Sequence, residues 1–235
     1  MAAVGTGRET FRIVVVGGGL AGASTAYHLA LRGYGRGLLL LEAEEAFGVH
    51  ASGRNAAMIR KIVPDARIAA LARRGARWIQ EPGPAFGEAV PFRRSGSLLL
   101  GREAQWDSLC RHASVARSAG LDVECLSSTE AAARLPVLRG ARFEGAVGTP
   151  SDGVVEIGPL LHGFLSAVRA REGTVRSGQR VLGIRRREGG FLVTTERSEI
   201  ETEIVVDAAG ACADEVARLA GSPASASSHA AATSF

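Results

Sequence analysis

The run Ile13-Val14-Val15-Val16-Gly17-Gly18-Gly19-Leu20-Ala21-Gly22, followed by Leu38-Leu39-Leu40-Leu41 and then Glu42, constrains this chain more than any other feature. Four apolar residues in succession suit a strand buried on both faces. The glycines stop that strand, and the Ala- and Leu-rich stretch Leu20 to Arg32 reads as a helix ended by Gly33. Strand, glycine turn, helix, strand and acid is the order that a dinucleotide-binding βαβ unit requires. Gly17 permits the tight turn, Gly19 lets the backbone approach a pyrophosphate, and Gly22 lets the helix pack hard on the strand. Leu20 and Ala21 open the helix, whose free N–H groups and positive dipole end are aimed at phosphates. Glu42, with Ala43 beside it, stands where a carboxylate accepts hydrogen bonds from an adenosine ribose. Glycine is common here, 30 of 235 residues, so the spacing alone carries little and its setting between strand, helix and acid carries the argument.

The formal charge of +4 does not point to an acidic partner. Of the 28 basic residues only Lys61 is lysine, a skew that reads as coding bias rather than selection for a basic surface. Arg185-Arg186-Arg187 reads as a solvated strand end, so no nucleic-acid partner is expected. Cys110, Cys125 and Cys212 are odd in number and lack C-x-x-C spacing, which suggests a reducing compartment and neither a metal site nor a disulfide framework. Met1 to Thr10 has no apolar core of a secretory signal, and no apolar run is long enough to span a membrane. The expectation is a cytoplasmic protein.

Phe11 to Val16 is the first strand. After Glu42 come a loop and a helical stretch from about Asn55 to Arg74, interrupted near Pro64. Strands are expected at Ser97 to Leu100, Val123 to Leu126 and Phe143 to Val147, with an amphipathic helix from Glu103 to Ala119. Ser127-Ser128-Thr129-Glu130 is a capping box opening a short helix that Pro136 ends. Glu156 to Arg171 carries apolar residues at helical spacing, and strands follow at Arg180 to Arg186, Phe191 to Thr195 and Glu203 to Asp207. The last of these, Ile204-Val205-Val206-Asp207-Ala208-Ala209-Gly210, runs into a small-residue turn and a helix over Ala213 to Ala220. It has the pattern of a strand rejoining the nucleotide sheet after a long excursion.

With these segments placed, Phe11 to Gly221 resembles the FAD-dependent D-amino-acid oxidase superfamily, in the flavour of sarcosine and glycine oxidase-like amine oxidoreductases. Beyond the glycine fingerprint, Ala51-Ser52-Gly53-Arg54-Asn55-Ala56-Ala57-Met58-Ile59-Arg60 resembles the loop and helix start that pass under the FAD pyrophosphate. Asp152-Gly153-Val154-Val155 resembles the entry to the family's central helix, and Val205 to Ala211 its second FAD motif, where Ala209 and Gly210 approach the cofactor.

The resemblance implies an α/β fold. It consists of an FAD-binding, Rossmann-like βαβ domain of the glutathione-reductase type, interleaved with a partly antiparallel α+β substrate domain. The expected division is residues 11–90 and 151–221 for the two parts of the FAD domain, 91–150 for a partial substrate domain, and 222–235 for a disordered or frameshifted tail. Ser52, Arg54, Asn55 and Ala56 are implied phosphate-side residues. Ser52 and Asn55 suit helix capping, and Arg54 a charge-assisted contact. Val181 is implied to touch adenine through its backbone. Arg60 is implied to clamp a substrate carboxylate, for which a guanidinium fork is suited, with a plain surface arginine as the competing reading. Covalent FAD attachment at His50 is not expected, since the spacing does not match.

The implied activity is oxidation of a C–N bond in an amine or amino acid by hydride transfer to non-covalent FAD, with oxygen or a redox partner as acceptor. A non-catalytic FAD-binding remnant and an NAD-binding Rossmann protein are the alternatives. Ala57 stands where relatives often have Gly, and Cys212 where they have an aromatic. Family members run on beyond Gly221. His229 to Phe235 can be encoded by codons that, shifted by one frame, spell Arg-Arg-Ser-His-Leu-Phe, a family-like stretch. The expectation is a chain frameshifted or truncated near Gly221.

Overall fold

The computed structural model describes residues 8–87 and 89–222; the tail expected to be disordered lies outside them from residue 223 on. The elements are β1 (Glu9–Val16), α1 (Leu20–Leu29), β2 (Leu38–Leu41), β3 (Met58–Ile59), α2 (Ala66–Gln80) and β4 (Phe92–Arg93). There follow β5 (Ser97–Gly101), α3 (Ala104–Ser118), β6 (Glu124–Ser127), α4 (Ser128–Arg134), β7 (Gly145–Thr149) and β8 (Gly153–Val155). The chain continues through α5 (Ile157–Arg169), β9 (Thr174–Arg176), β10 (Val181–Arg187), β11 (Gly190–Thr195), β12 (Glu199–Asp207) and α6 (Ala213–Leu219).

Two compact units emerge, one from the described residues within 1–55, 84–87 and 157–235, the other from those within 56–83 and 88–156. Residues 56–83, 89–90 and 151–156 thus group with the second unit, although the sequence places the boundaries at 90 and 150. The cause is strand pairing: β8 is flanked by β3 and β4, so the chain before α2 and the chain before α5 share one small sheet.

The first unit is built on one sheet of order β10-β11-β12-β1-β2-β9. Its β12, β1, β2 and β9 run parallel, and β11 and β10 extend it antiparallel. At the centre of the sheet β2 and the second half of β1 are apolar without alternation because both faces are covered: Ile13 to Val16 and Leu38 to Leu41 are all buried. On one face Val14, Val16, Leu39 and Leu41 meet Ile184, Val193, Ile200 and Val216. α1 and α5 also pack together, with Tyr27, Phe86 and Phe164 in mutual edge or tilted contact at centroid distances of 5.2 to 5.7 Å. Gly163 makes room for this, since a β-carbon there would fall 2.3 Å from the Phe86 ring. The strand expected to return after a long excursion does return: β12 pairs with β1 from Glu9↔Ile200 to Val16↔Asp207.

The second unit holds the antiparallel sheet β5-β7-β6 and the small sheet β3-β8-β4. Ala113 and Ala116 of α3 pack with Ile62, Val123 and Val147. The expected capping box is present, with Ser127 Oγ accepting from Glu130 N–H at 3.2 Å and the Glu130 carboxylate accepting from Ser127 N–H at 2.8 Å.

One expectation is corrected here. Residues 55–65 are not helical but form a turn and β3, and α2 starts only at Ala66, past Pro64. Proline disfavours helix in the residue before it, and Asp65 then caps α2 by accepting from Arg67 and Ile68 N–H at 2.8 and 3.2 Å. Asp152 to Val155 does lead into the helix expected from Glu156: Gly153 to Val155 form β8, and α5 begins at Ile157.

Candidate cofactor-binding site

At the carboxyl end of β1 the chain turns through Gly17, whose φ is +113°. A β-carbon on Gly17 would lie 2.4 Å from the Ala208 carbonyl oxygen, and Ala208 N–H donates to Val16 O at 2.9 Å. The turns that follow β1 and β12 therefore touch where the sheet's connections diverge, the place at which open α/β sheets take ligands. Gly22 is still more confined: a β-carbon there would sit 1.8 Å from Gly17 O. Gly18, which the fingerprint leaves free, is closed off as well, by the Phe47 ring at 2.4 Å and the Glu42 side chain at 2.8 Å.

Gly19 is the N-cap residue of α1 and brings no side chain to the task. Ser52 supplies one from a distant turn, its Oγ accepting from Leu20 N–H at 2.9 Å. A β-carbon on Gly19 would approach that same Oγ to 2.9 Å. Gly17 N–H goes to Leu41 O and Gly18 N–H to Glu42 Oε2, at 2.8 and 2.7 Å. The N–H groups of Gly19, Ala21 and Gly22 have no protein acceptor among the described residues. Bare donors at a helix N-terminus fit an anionic phosphate group.

Glu42 is half-buried and fixed on both sides. Its Oε2 accepts from Gly18, its Oε1 from Glu44 N–H at 2.9 Å, and its backbone bonds to Arg176 O and Gln179 N–H. Each carboxylate oxygen keeps a lone pair for a further donor. Ala43 follows, half-buried, at the head of that loop. Glu44 meets His50 Nε2 at 3.1 Å and Arg180 at 3.6 Å. Gly18, Phe47, Glu44 and Arg180 were missed by sequence reasoning; only the triple glycine held a signal for the first.

Ser52, Arg54 and Asn55 lie together in the turn that ends the first stretch of this unit. Asn55 Nδ2 donates to Ala51 O and Ser52 O, both at 2.8 Å, and so fastens the turn that presents Ser52. The Arg54 side chain is exposed. Val181 opens β10 opposite Thr195, and with Ala209 it packs on the cluster beneath the strand ends. Ala209 N–H donates to Asp207 Oδ1 at 3.0 Å, and Gly210 turns with φ +59°.

Ala56 and Arg60 belong to the second unit. Ala57 between them has φ +53°, a left-handed conformation that costs an L-residue energy and suits glycine. Arg60 is exposed at the end of β3. Its neighbourhood contains Asp152, which the sequence placed on the approach to a helix rather than among site residues; it is 1% exposed and accepts from Ser97 Oγ at 2.8 Å. Burial pushes the Asp152 carboxyl up, against the opposing effects of the Ser97 hydrogen bond and the Lys61 and Arg60 charges. Among the described residues no three His, Cys, Asp or Glu side chains gather to hold a metal ion, and no helix is long and apolar enough to cross a membrane.

The chain is similar to mouse mitochondrial sarcosine dehydrogenase, with 29% identity over 221 residues covering 91% of this chain and 24% of that one. It is 30% identical to human peroxisomal sarcosine oxidase over 208 residues, covering 86% of this chain and 51% of the other. Among solved structures, glycine oxidase from Geobacillus kaustophilus superposes with a TM-score of 0.77 at 25% identity, covering 91% of this chain and 59% of that one. The chain thus spans a quarter to about half the length of these curated relatives. A family profile described as FAD dependent oxidoreductase matches residues 12–233. With a profile match over nearly its whole length and the glycine turn, acid and returning strand in place, the chain belongs to the FAD-dependent oxidoreductase (DAO) family, whose cofactor is FAD.

Proposed function

We propose that the first unit holds the adenosine and pyrophosphate of FAD, and that the chain serves oxidation of a C–N bond in a small amine or amino acid of the sarcosine or glycine type. The observation that carries this reading is the set of unpartnered N–H groups of Gly19, Ala21 and Gly22 opposite the fixed Glu42 carboxylate. In it, those N–H groups take the pyrophosphate, and Glu42 with Ala43 takes the ribose hydroxyls. The Val181 backbone meets adenine, and Ala209 and Gly210 leave room for the cofactor. Ser52, Arg54, Asn55 and Ala56 form the phosphate-side wall.

Bound FAD supplies the hydride acceptor for a substrate C–H next to nitrogen, and water then hydrolyses the resulting imine. Arg60 pairs with a substrate carboxylate through its guanidinium fork. The electron acceptor is oxygen or a redox partner. The free cysteines Cys110, Cys125 and Cys212 support a reducing compartment, proposed as the cytoplasm.

The test is titration of the purified chain with FAD, followed by flavin fluorescence, and then turnover of sarcosine, glycine and proline with a dye acceptor. Saturable quenching that Glu42→Arg weakens at least tenfold supports the cofactor assignment, and no saturable binding by the folded wild-type chain overturns it. Turnover whose KM for a carboxylated amine rises in Arg60→Gln supports the substrate assignment. FAD binding without turnover leaves the remnant as the reading.

A further inference from the structure

The second unit carries a cavity of about 280 Å³ lined by Lys61, Arg73, Arg77 and Gln80 together with Ala119, Gly120 and Leu121. No carboxylate lines it. Arg73, Arg77 and Gln80 follow one another at spacings of four and three on α2, so they share one stripe of that helix. Like charges at i,i+4 repel by a few tenths of a kcal/mol, and the ion pair on this helix, Arg67 with Asp65 at its start, does nothing to relieve them. Among the described residues neither Arg73 nor Arg77 is within ion-pair distance of an acid. The carbonyl end of α3 offsets about half a charge, against the two guanidinium charges of Arg73 and Arg77.

Lys61 distinguishes this arrangement from an ordinary solvated helix face. It is the only lysine of the chain and is 7% exposed. Its Nζ donates to Ser151 O at 2.5 Å, and Asp152 Oδ1 lies 4.0 Å away, beyond hydrogen-bond range. An ammonium carries three donors, so Lys61 keeps capacity for another acceptor.

We infer that this cavity binds a small, multiply charged oxyanion of the phosphate or polycarboxylate class, with the Arg73 and Arg77 forks, the Gln80 amide and the Lys61 ammonium as its donors. Guanidinium forks match both kinds of oxyanion in a bidentate way, and the volume admits an ion of that size. The site is independent of the FAD assignment, since every lining residue belongs to the second unit.

Thermal unfolding of the full chain decides the matter, with sodium phosphate or sodium citrate compared against sodium chloride at equal ionic strength. A tenfold excess of either anion over its Kd raises Tm by roughly 3 °C or more. The rise persists in Arg74→Gln, which alters an exposed arginine of the same helix outside the cavity, and disappears in the Arg73→Gln/Arg77→Gln double variant. Circular dichroism checks that the double variant is folded, and isothermal titration of the wild type gives the binding directly. A response to phosphate alone or citrate alone identifies which oxyanion chemistry is read. No response beyond chloride, or an equal response in the double variant, overturns the assignment.

Discussion

A β-carbon at Gly22 would press 1.8 Å from Gly17 O, and both positions are backbone, so nothing can swing aside. Gly22→Ala is therefore expected to cost about 3 kcal/mol, at the upper end for overpacking, and to remove FAD binding with it. Urea unfolding and flavin fluorescence check the two parts, and a variant as stable as the wild type would remove the packing argument. Ser52 makes a milder case. Its Oγ is the acceptor that Gly19 cannot provide for α1, so Ser52→Ala should lower stability by about 1 kcal/mol and fray the first turn of that helix. Hydrogen exchange at Leu20 reads this directly, with faster exchange in the variant. Ala57, at φ +53°, occupies a backbone conformation that suits glycine better than a residue with a side chain.

At the scale of elements, legibility followed length and apolar continuity. β1 and β2 were readable because the apolar runs of these parallel strands are buried on both faces and have nowhere to put polar residues, and β12 because Ile204 to Val206 runs into a small-residue turn. The capping box was readable because its two hydrogen bonds are made by residues three apart. β8 and β9 were not recognised as strands: each is three residues long and is made a strand by its neighbours, not by its own pattern. The stretch from Asn55 read as helix because its alanines favour one, yet pairing of Met58 and Ile59 with β8 overrode that propensity. In the candidate site of the first unit the glycines and Glu42 were legible by spacing, whereas Phe47 and Arg180 come together only through tertiary folding, as the Lys61–Asp152 contact does within the second unit. The capping box itself offers a test at this scale. α4 has only seven residues, too few to hold without help, so Ser127→Ala should cost about 1 kcal/mol and speed amide exchange across Ser128 to Arg134. Unchanged exchange there would mean that packing of Ala131 alone holds the helix.

For the molecule as a whole, the two units carry carboxylates whose environments act in opposite directions. In the first unit the Arg176 hydrogen bond holds the Glu9 carboxyl below its usual range, so its contribution is present above the unfolded value and lost as pH falls. In the second unit burial raises Asp152, and the sign reverses. The folded chain then holds the Asp152 proton to a higher pH than the unfolded chain, whose aspartates titrate near about 3.9. Stability from this group is full below that value and declines as pH rises from there through the raised folded value. Asp152→Asn removes the titration while leaving an amide oxygen to accept from Ser97. The stability of Asp152→Asn relative to wild type should therefore increase between pH 4 and pH 7, whatever its sign at pH 4. Glu9→Gln should move the other way, falling relative to wild type over the same interval. Urea midpoints for the three proteins at both pH values measure this, and an Asp152→Asn difference that stays flat or shrinks with pH would mean that Asp152 is ionised in the fold, held by Lys61 and Arg60 rather than governed by its burial.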